Sequence, residues 1–146
     1  SAILFHYLAY YQPVKLLKFI SYLNTFPTIL VANEDILHHP DNFINITHWV
    51  AVPSCDSYTV IDQTEHQVEE AISAIDWYCL ILLASGVWGK VLAHRLLNKN
   101  HHIWIIDIGS IFELLRHKTT KRSWIKTKDD AYRADLLEKL QATKYW

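Results

Sequence analysis

The sequence is poor in the residues that bend, cross-link or anchor a chain: three glycines, four prolines, two cysteines and no methionine in 146 residues. Two cysteines are too few for the disulfide framework of a small secreted domain, and Cys79 lies inside an apolar run that reads as core. A reducing, cytoplasmic setting is the expectation. The longest apolar run, "YCLILLASGVW", is about half the ~20 residues a membrane helix needs, and no basic segment with a cleavage site opens the sequence. Neither a membrane span nor export is expected, and the Asn45–Thr47 sequon, which acts only in a secreted chain, is read as chance. Basic excess is also missing. Fourteen Lys and Arg stand against fifteen Asp and Glu, a net charge of −1, so no nucleic-acid footprint is indicated. A chain that begins at Ser1 and carries no methionine reads as a piece, or one domain, of a longer protein.

What is present is material for one dense core. Hydrophobic residues make up 51% and aromatics 13%, which excludes a disordered or low-complexity chain, and the length suits a single domain. Residues 2–23 carry a helical stripe that Pro13 interrupts, predicting two short helices or one kinked one. "TILVAN" (Thr28–Asn33), "THWVAVP" (Thr47–Pro53), "WYCLILLAS" (Trp77–Ser85) and "HIWIID" (ending at Asp107) are uninterrupted apolar runs of strand length. "HHPDN" reads as a turn and "SCDSYTVIDQ" as loop. Thr64 with Gln67, and Ser110 with Glu113, form capping-box patterns at two helix starts. "KVLAHRLLNKN" and the segment from Asp129 read as amphipathic helices. Apolar strands alternating with helices predict an α/β fold with a mostly parallel sheet and helices on both faces.

The three glycines are not scattered. Gly86 and Gly89 lie in "ASGVWGK" and Gly109 follows in "DIGS". Strand, glycine turn, helix and strand between Trp77 and Gly109 form a right-handed crossover, which delivers both glycine bends to the carboxyl edge of the sheet. Open α/β sheets bind ligands there. Gly86 lets the chain turn out of the strand, Gly89 lets backbone approach a ligand or the neighbouring strand, and the first-turn amides of the next helix attract an anion such as a diphosphate. Lys90 stands at the helix head, and Asp107 closes the next strand, where it would take ribose hydroxyls or a metal, or cap its own turn. Ala84, Gly86 and Gly89 also form an A-x-G-x-x-G variant of the dinucleotide fingerprint, which makes an NAD(P)-binding oxidoreductase domain an alternative.

The stretch "LILLASGVWGKVLAHRLLNKNHHIWIIDIGSIFELL" resembles the carboxyl-terminal half of the GT-D type bacterial glycosyltransferases. The matching residues are Gly86, Lys90, Val91, Leu92 and Ala93, then Asp107, Ile108, Gly109 and Ser110. "ILVANEDIL" is similar to that family's strand with an Asn-Glu pair, here Asn33 and Glu34. "VAVPSCDSY" is similar to its Pro-Ser loop, here Pro53 and Ser54, and "TTKRSW" to a basic element containing Arg122. The resemblance implies a Rossmann-like domain that binds a nucleotide sugar, most often a UDP-sugar, and transfers the sugar to a glycan or glycoprotein acceptor with a divalent metal, Mn or Mg. It implies Asp107 or Glu34 for metal, ribose or proton, and Gly86 to Lys90 with Arg122 for the diphosphate. The family's acidic Gly-Asp-Gly-Glu type element has no counterpart before Thr28. A non-catalytic Rossmann-like partner domain is therefore a third reading.

Other residues are read as structural. His38, His39, His101 and His102 lack metal-ligand spacing, and Ser54, Cys55 and Asp56 lack a nucleophile elbow. His94 reads as solvent-facing or a packed neutral histidine. Tyr7, Tyr10 and Tyr11 read as core or a face for a second copy of the chain.

Overall fold

The computed structural model describes residues 11–34 and 44–109, together with Phe5, Tyr7, Leu8, Ala134, Asp135 and Glu138. Pro13 opens helix α1 (Pro13–Leu23) because its missing N–H is not needed in a first turn. Gln12 before it is non-helical at φ −140°, and its amide closes the preceding turn on the Leu8 carbonyl at 2.9 Å. The proline thus divides the stripe into two segments. Strand β1 (Thr28–Asn33) follows, then β2 (His48–Val52), a 3-10 turn (Ser57–Val60), α2 (Ile61–Ser73), β3 (Cys79–Ala84), α3 (Gly89–Lys99) and β4 (Ile103–Asp107). All four strands fall inside the runs expected to form them.

The start of α2 is a correction. The helix begins at Ile61, and Thr64 lies one turn inside it, its hydroxyl donating to the Val60 carbonyl at 3.0 Å. That bond to the carbonyl four residues back is the one a threonine makes within a helix, not at a cap. The 3-10 turn feeds directly into α2, so seven of the ten residues read as loop are helical. The turn expected at His38–Asn42, the Ser110 and Glu113 box, and most of the helix expected from Asp129 lie outside the described residues. Ala134, Asp135 and Glu138, within that last segment, are helical and exposed.

The strands form one parallel sheet in the order β2-β1-β3-β4. Successive side chains alternate between its faces. Leu30, Ala32, Leu80 and Leu82 pack with Leu16, Ile20 and Leu23 of α1. Ile29, Val31, Val50, Val52, Ile81 and Leu83 pack with Val68 and Ala71 of α2 and with Leu92 and Leu96 of α3. Helices therefore cover both faces, as continuous apolar strands require, and each fully buried Leu or Ile contributes about 1.5–3 kcal/mol. The two crossovers β2-α2-β3 and β3-α3-β4 move in the same direction across the sheet, so connections of one hand put both helices on one side.

Ion pairs tie α2 to α3 above that core. Arg95 donates to Asp62 at 2.6 Å and to Glu65 at 3.0 Å, and Lys99 donates to Glu65 at 2.6 Å. Lys99 and Arg95 together hold the nearly buried Glu65 carboxyl below its ordinary value, against the opposing effect of burial. Arg95, which the helical pattern places on the apolar stripe of α3, is where the packed face of that helix meets its neighbour.

Candidate functional site at the carboxyl edge

From β1 the chain steps to β2 on one side, then returns to β3 on the other side and continues to β4. The direction of travel reverses between β1 and β3, and such a switch point opens a crevice beyond the strand ends. The register keeps those ends level. Ala32 pairs with both Ala51 and Ala84, and Leu83 pairs with Asp107. Asn33, Pro53, Ser85 and Ile108 thus leave the sheet at one edge, and the two glycine bends lie on adjacent strands.

Each glycine is there for a different reason. Gly86 has φ +76° and Gly109 φ +57°, a region side chains disfavour, and a Cβ on Gly86 would meet nothing within 4 Å. Gly86 is required by backbone conformation alone. At Gly89 the constraint is space, because a Cβ there would stand 2.6 Å from Ser85 Oγ and the serine side chain would have to turn away. Its close approach is to the exit of β3, the strand that precedes it in the chain.

Between the β2 and β3 exits lies a cleft of about 520 Å³, lined on one wall by Ser54, Asp56, Ser57 and Tyr58 and on the other by Ser85 to Trp88 with Val91. That volume suits a small organic ligand. Ser85 Oγ and Trp88 Nε1 on the second wall are shielded from solvent and have no hydrogen-bond partner among the described residues. Both atoms lie beneath the surface of the cleft, where a polar group without a partner costs about 1–3 kcal/mol.

The amides differ from expectation. Those of Gly89, Lys90 and Val91 donate to Gly86, Val87 and Trp88 carbonyls at 3.2, 3.2 and 2.9 Å, because the chain enters α3 through a tight turn. The first-turn amides of the helix are thus occupied. The amides of Val87 and Trp88, in the turn itself, make no such backbone bond among the described residues.

Of the residues singled out from the sequence, Ser54 and Gly86 line the cleft. Gly89 and Lys90 begin α3 beside it, with Lys90 exposed. Pro53 is exposed at the end of β2, and its carbonyl accepts from Ser57 Oγ at 2.5 Å. Asn33 and exposed Glu34 leave β1 at the same edge. Asp107 closes β4, but it is not a lining residue, and its Oδ1 accepts the Gly109 amide at 2.9 Å, the turn-capping alternative. Ser110 and Arg122 lie outside the described residues. Asp56, Tyr58 and Trp88 were not selected from the sequence. The one local signal is Asp56 itself, held at φ 52°, where Asp is tolerated and most side chains are not.

The residues read as structural divide. Cys79 is buried, and burial pushes its thiol up, while Cys55 is exposed. His94 is exposed. Tyr7 and Tyr11 are 48% and 67% exposed with ring centroids 5.1 Å apart, so a core role is excluded for these two. A larger hollow of about 650 Å³ lies at the opposite edge, where exposed Trp77 and the His102–Tyr78 ring contact at 4.9 Å form part of its surroundings. It faces the edge at which strands begin, and no buried unpartnered donor lines it. Among the described residues no group of three His, Cys, Asp or Glu side chains is gathered for a metal, and no helix is long and apolar enough to cross a membrane. Comparison with known protein families, curated proteins and solved structures finds no match.

Proposed function

We propose that the carboxyl-edge cleft holds a nucleoside diphosphate sugar, in the first instance a UDP-sugar, and that the chain transfers the sugar to a glycan or glycoprotein acceptor. The observation that carries this reading is the wall formed by Ser85, Gly86, Val87 and Trp88. It combines the turn amides of Val87 and Trp88, which make no backbone bond among the described residues, with a glycine bend at the switch point of the sheet, and it contains no carboxylate. A leaving diphosphate needs its charge met by fixed donors, and Lys90 on the following turn adds a cation. The resemblance of residues 80–115 to GT-D glycosyltransferases supplies the reaction class. Glu34 and Asp107, at the ends of β1 and β4, are the carboxylates that the resemblance implies for the acceptor hydroxyl's proton.

A divalent ion on a diphosphate requires one or two protein carboxylates. One Asp107 oxygen holds the Gly109 amide, and Asp107 is the residue that the resemblance implies for such an ion. The chain's own contribution to charge neutralisation in this reading comes from the turn amides of Val87 and Trp88 and from Lys90.

The NAD(P) alternative keeps one specific support. The strand carrying the glycine turn pairs directly with the strand ending in Asp107, the arrangement of a dinucleotide-binding unit. Calorimetric titration with UDP-glucose, with and without Mn²⁺, and with NADH separates the readings. Saturable binding of UDP-glucose that falls in Lys90→Ala supports the proposal. Binding of NADH alone, lost in Asp107→Ala, replaces it with the alternative. Binding of neither leaves the non-catalytic domain as the reading.

A further inference from the structure

The two walls of the cleft differ in chemistry. Ser85 to Trp88 present the turn amides of Val87 and Trp88, whereas the opposite wall presents Asp56, an exposed carboxylate with no ion pair or hydrogen bond to its side chain among the described residues. Its backbone is held in place. The Asp56 carbonyl accepts the Thr59 amide at 2.9 Å and the Thr59 hydroxyl at 2.7 Å, and Ser57 Oγ ties the same loop to the Pro53 carbonyl. The backbone at Asp56 sits in the left-handed region, a conformation held by these bonds rather than preferred by the residue.

An isolated carboxylate repels a phosphate, so whatever meets it must donate hydrogen bonds without carrying negative charge. Vicinal hydroxyls do so, and a carboxylate accepts two of them side by side. Tyr58, 58% exposed, and Val87, 83% exposed, add apolar surface to the two walls. Donors for an anion, an acceptor for a diol and flanking apolar surface are the three parts of a nucleoside diphosphate. Resting on the function proposed above, we infer that Asp56 receives the ribose hydroxyls of the nucleotide, across the cleft from the diphosphate at Ser85 to Trp88. Asp107, engaged in its own turn, is not needed for that role.

The test is titration of the full chain and of Asp56→Asn with UDP and with inorganic pyrophosphate, each in the presence of EDTA. Asparagine tolerates the left-handed conformation at least as well as aspartate, so the variant keeps the loop, and unchanged melting verifies it. The expected result is UDP affinity lowered about tenfold, as a charged acceptor gives way to a neutral one, while pyrophosphate binds as well as before or better because a negative charge has left the cleft. Equal UDP affinity in the two proteins overturns the assignment of Asp56 alone. Equal losses for UDP and pyrophosphate also overturn it, since they mean a general disturbance of the cleft. If wild-type chain binds neither probe, the nucleotide reading fails and this inference falls with it.

Discussion

Gly89 lies so close to Ser85 that a Cβ on it would stand 2.6 Å from the serine hydroxyl. The missing Cβ lets the first turn of α3 lie against the exit of β3. Gly89→Ala displaces the Ser85 hydroxyl, and a loss of at most about 1 kcal/mol is expected from overpacking. The double variant Ser85→Ala/Gly89→Ala removes the obstructing atom and is expected to recover most of that loss. Urea denaturation of the three variants checks it, and a double variant as unstable as the single one refutes the account.

At Gly86 the constraint is conformational. With φ +76° and open space around the missing Cβ, Gly86→Ala is expected to cost about 1–2 kcal/mol without any clash. Gly86→Asn is expected to cost less, because asparagine visits this region more readily. Denaturation midpoints that order the three proteins Gly, Asn, Ala are the expected outcome.

Glu65 couples the two helices on one face, and its sign is fixed. Its carboxyl is held below the ordinary 4.5, first by Lys99 and then by Arg95. A carboxyl lowered in the folded state contributes stability that is fully present above the unfolded value and is lost as pH falls through the folded one. Stability is therefore expected to decline below pH 4.5 with a share that belongs to this residue. Glu65→Gln is expected to be less stable than wild type at neutral pH and to show a shallower acid decline. Parallel curves for the two proteins would remove Glu65 from the account.

The two thiols differ in reach. Cys55 is exposed in the β2 exit loop, whereas Cys79 is buried at the start of β3 with its thiol pushed up by burial. A thiol reagent is expected to label Cys55 in the native chain and Cys79 only after denaturant is added. Peptide mapping of the native product distinguishes the sites, and native labelling of Cys79 would contradict the packing of that face.

Physical reasons separate what was legible in the chain from what was not. The four strands could be read because a strand covered on both faces is apolar at every position, and such runs stand out in "TILVAN" and "CLILLA". The shared edge of the glycine bends was legible because a parallel crossover permits nothing else. The start of α2 was misplaced because Thr64 satisfies a capping pattern and a mid-helix bond equally well, and only the preceding 3-10 turn decides between them.

The sequence by itself determined an α/β domain with helices on both faces and glycine bends beside Asp107. Which strands neighbour β1 was settled by the tertiary structure, since parallel pairing is set by how connections cross the sheet and leaves no mark on the strand residues. Only that packing brings the Ser54–Tyr58 loop across from Ser85 and Trp88, about thirty residues away in the chain, and so creates a cleft whose two walls differ in charge. Side chains so far apart in sequence become one surface through the burial of the sheet between them, a collective effect that no local pattern encodes.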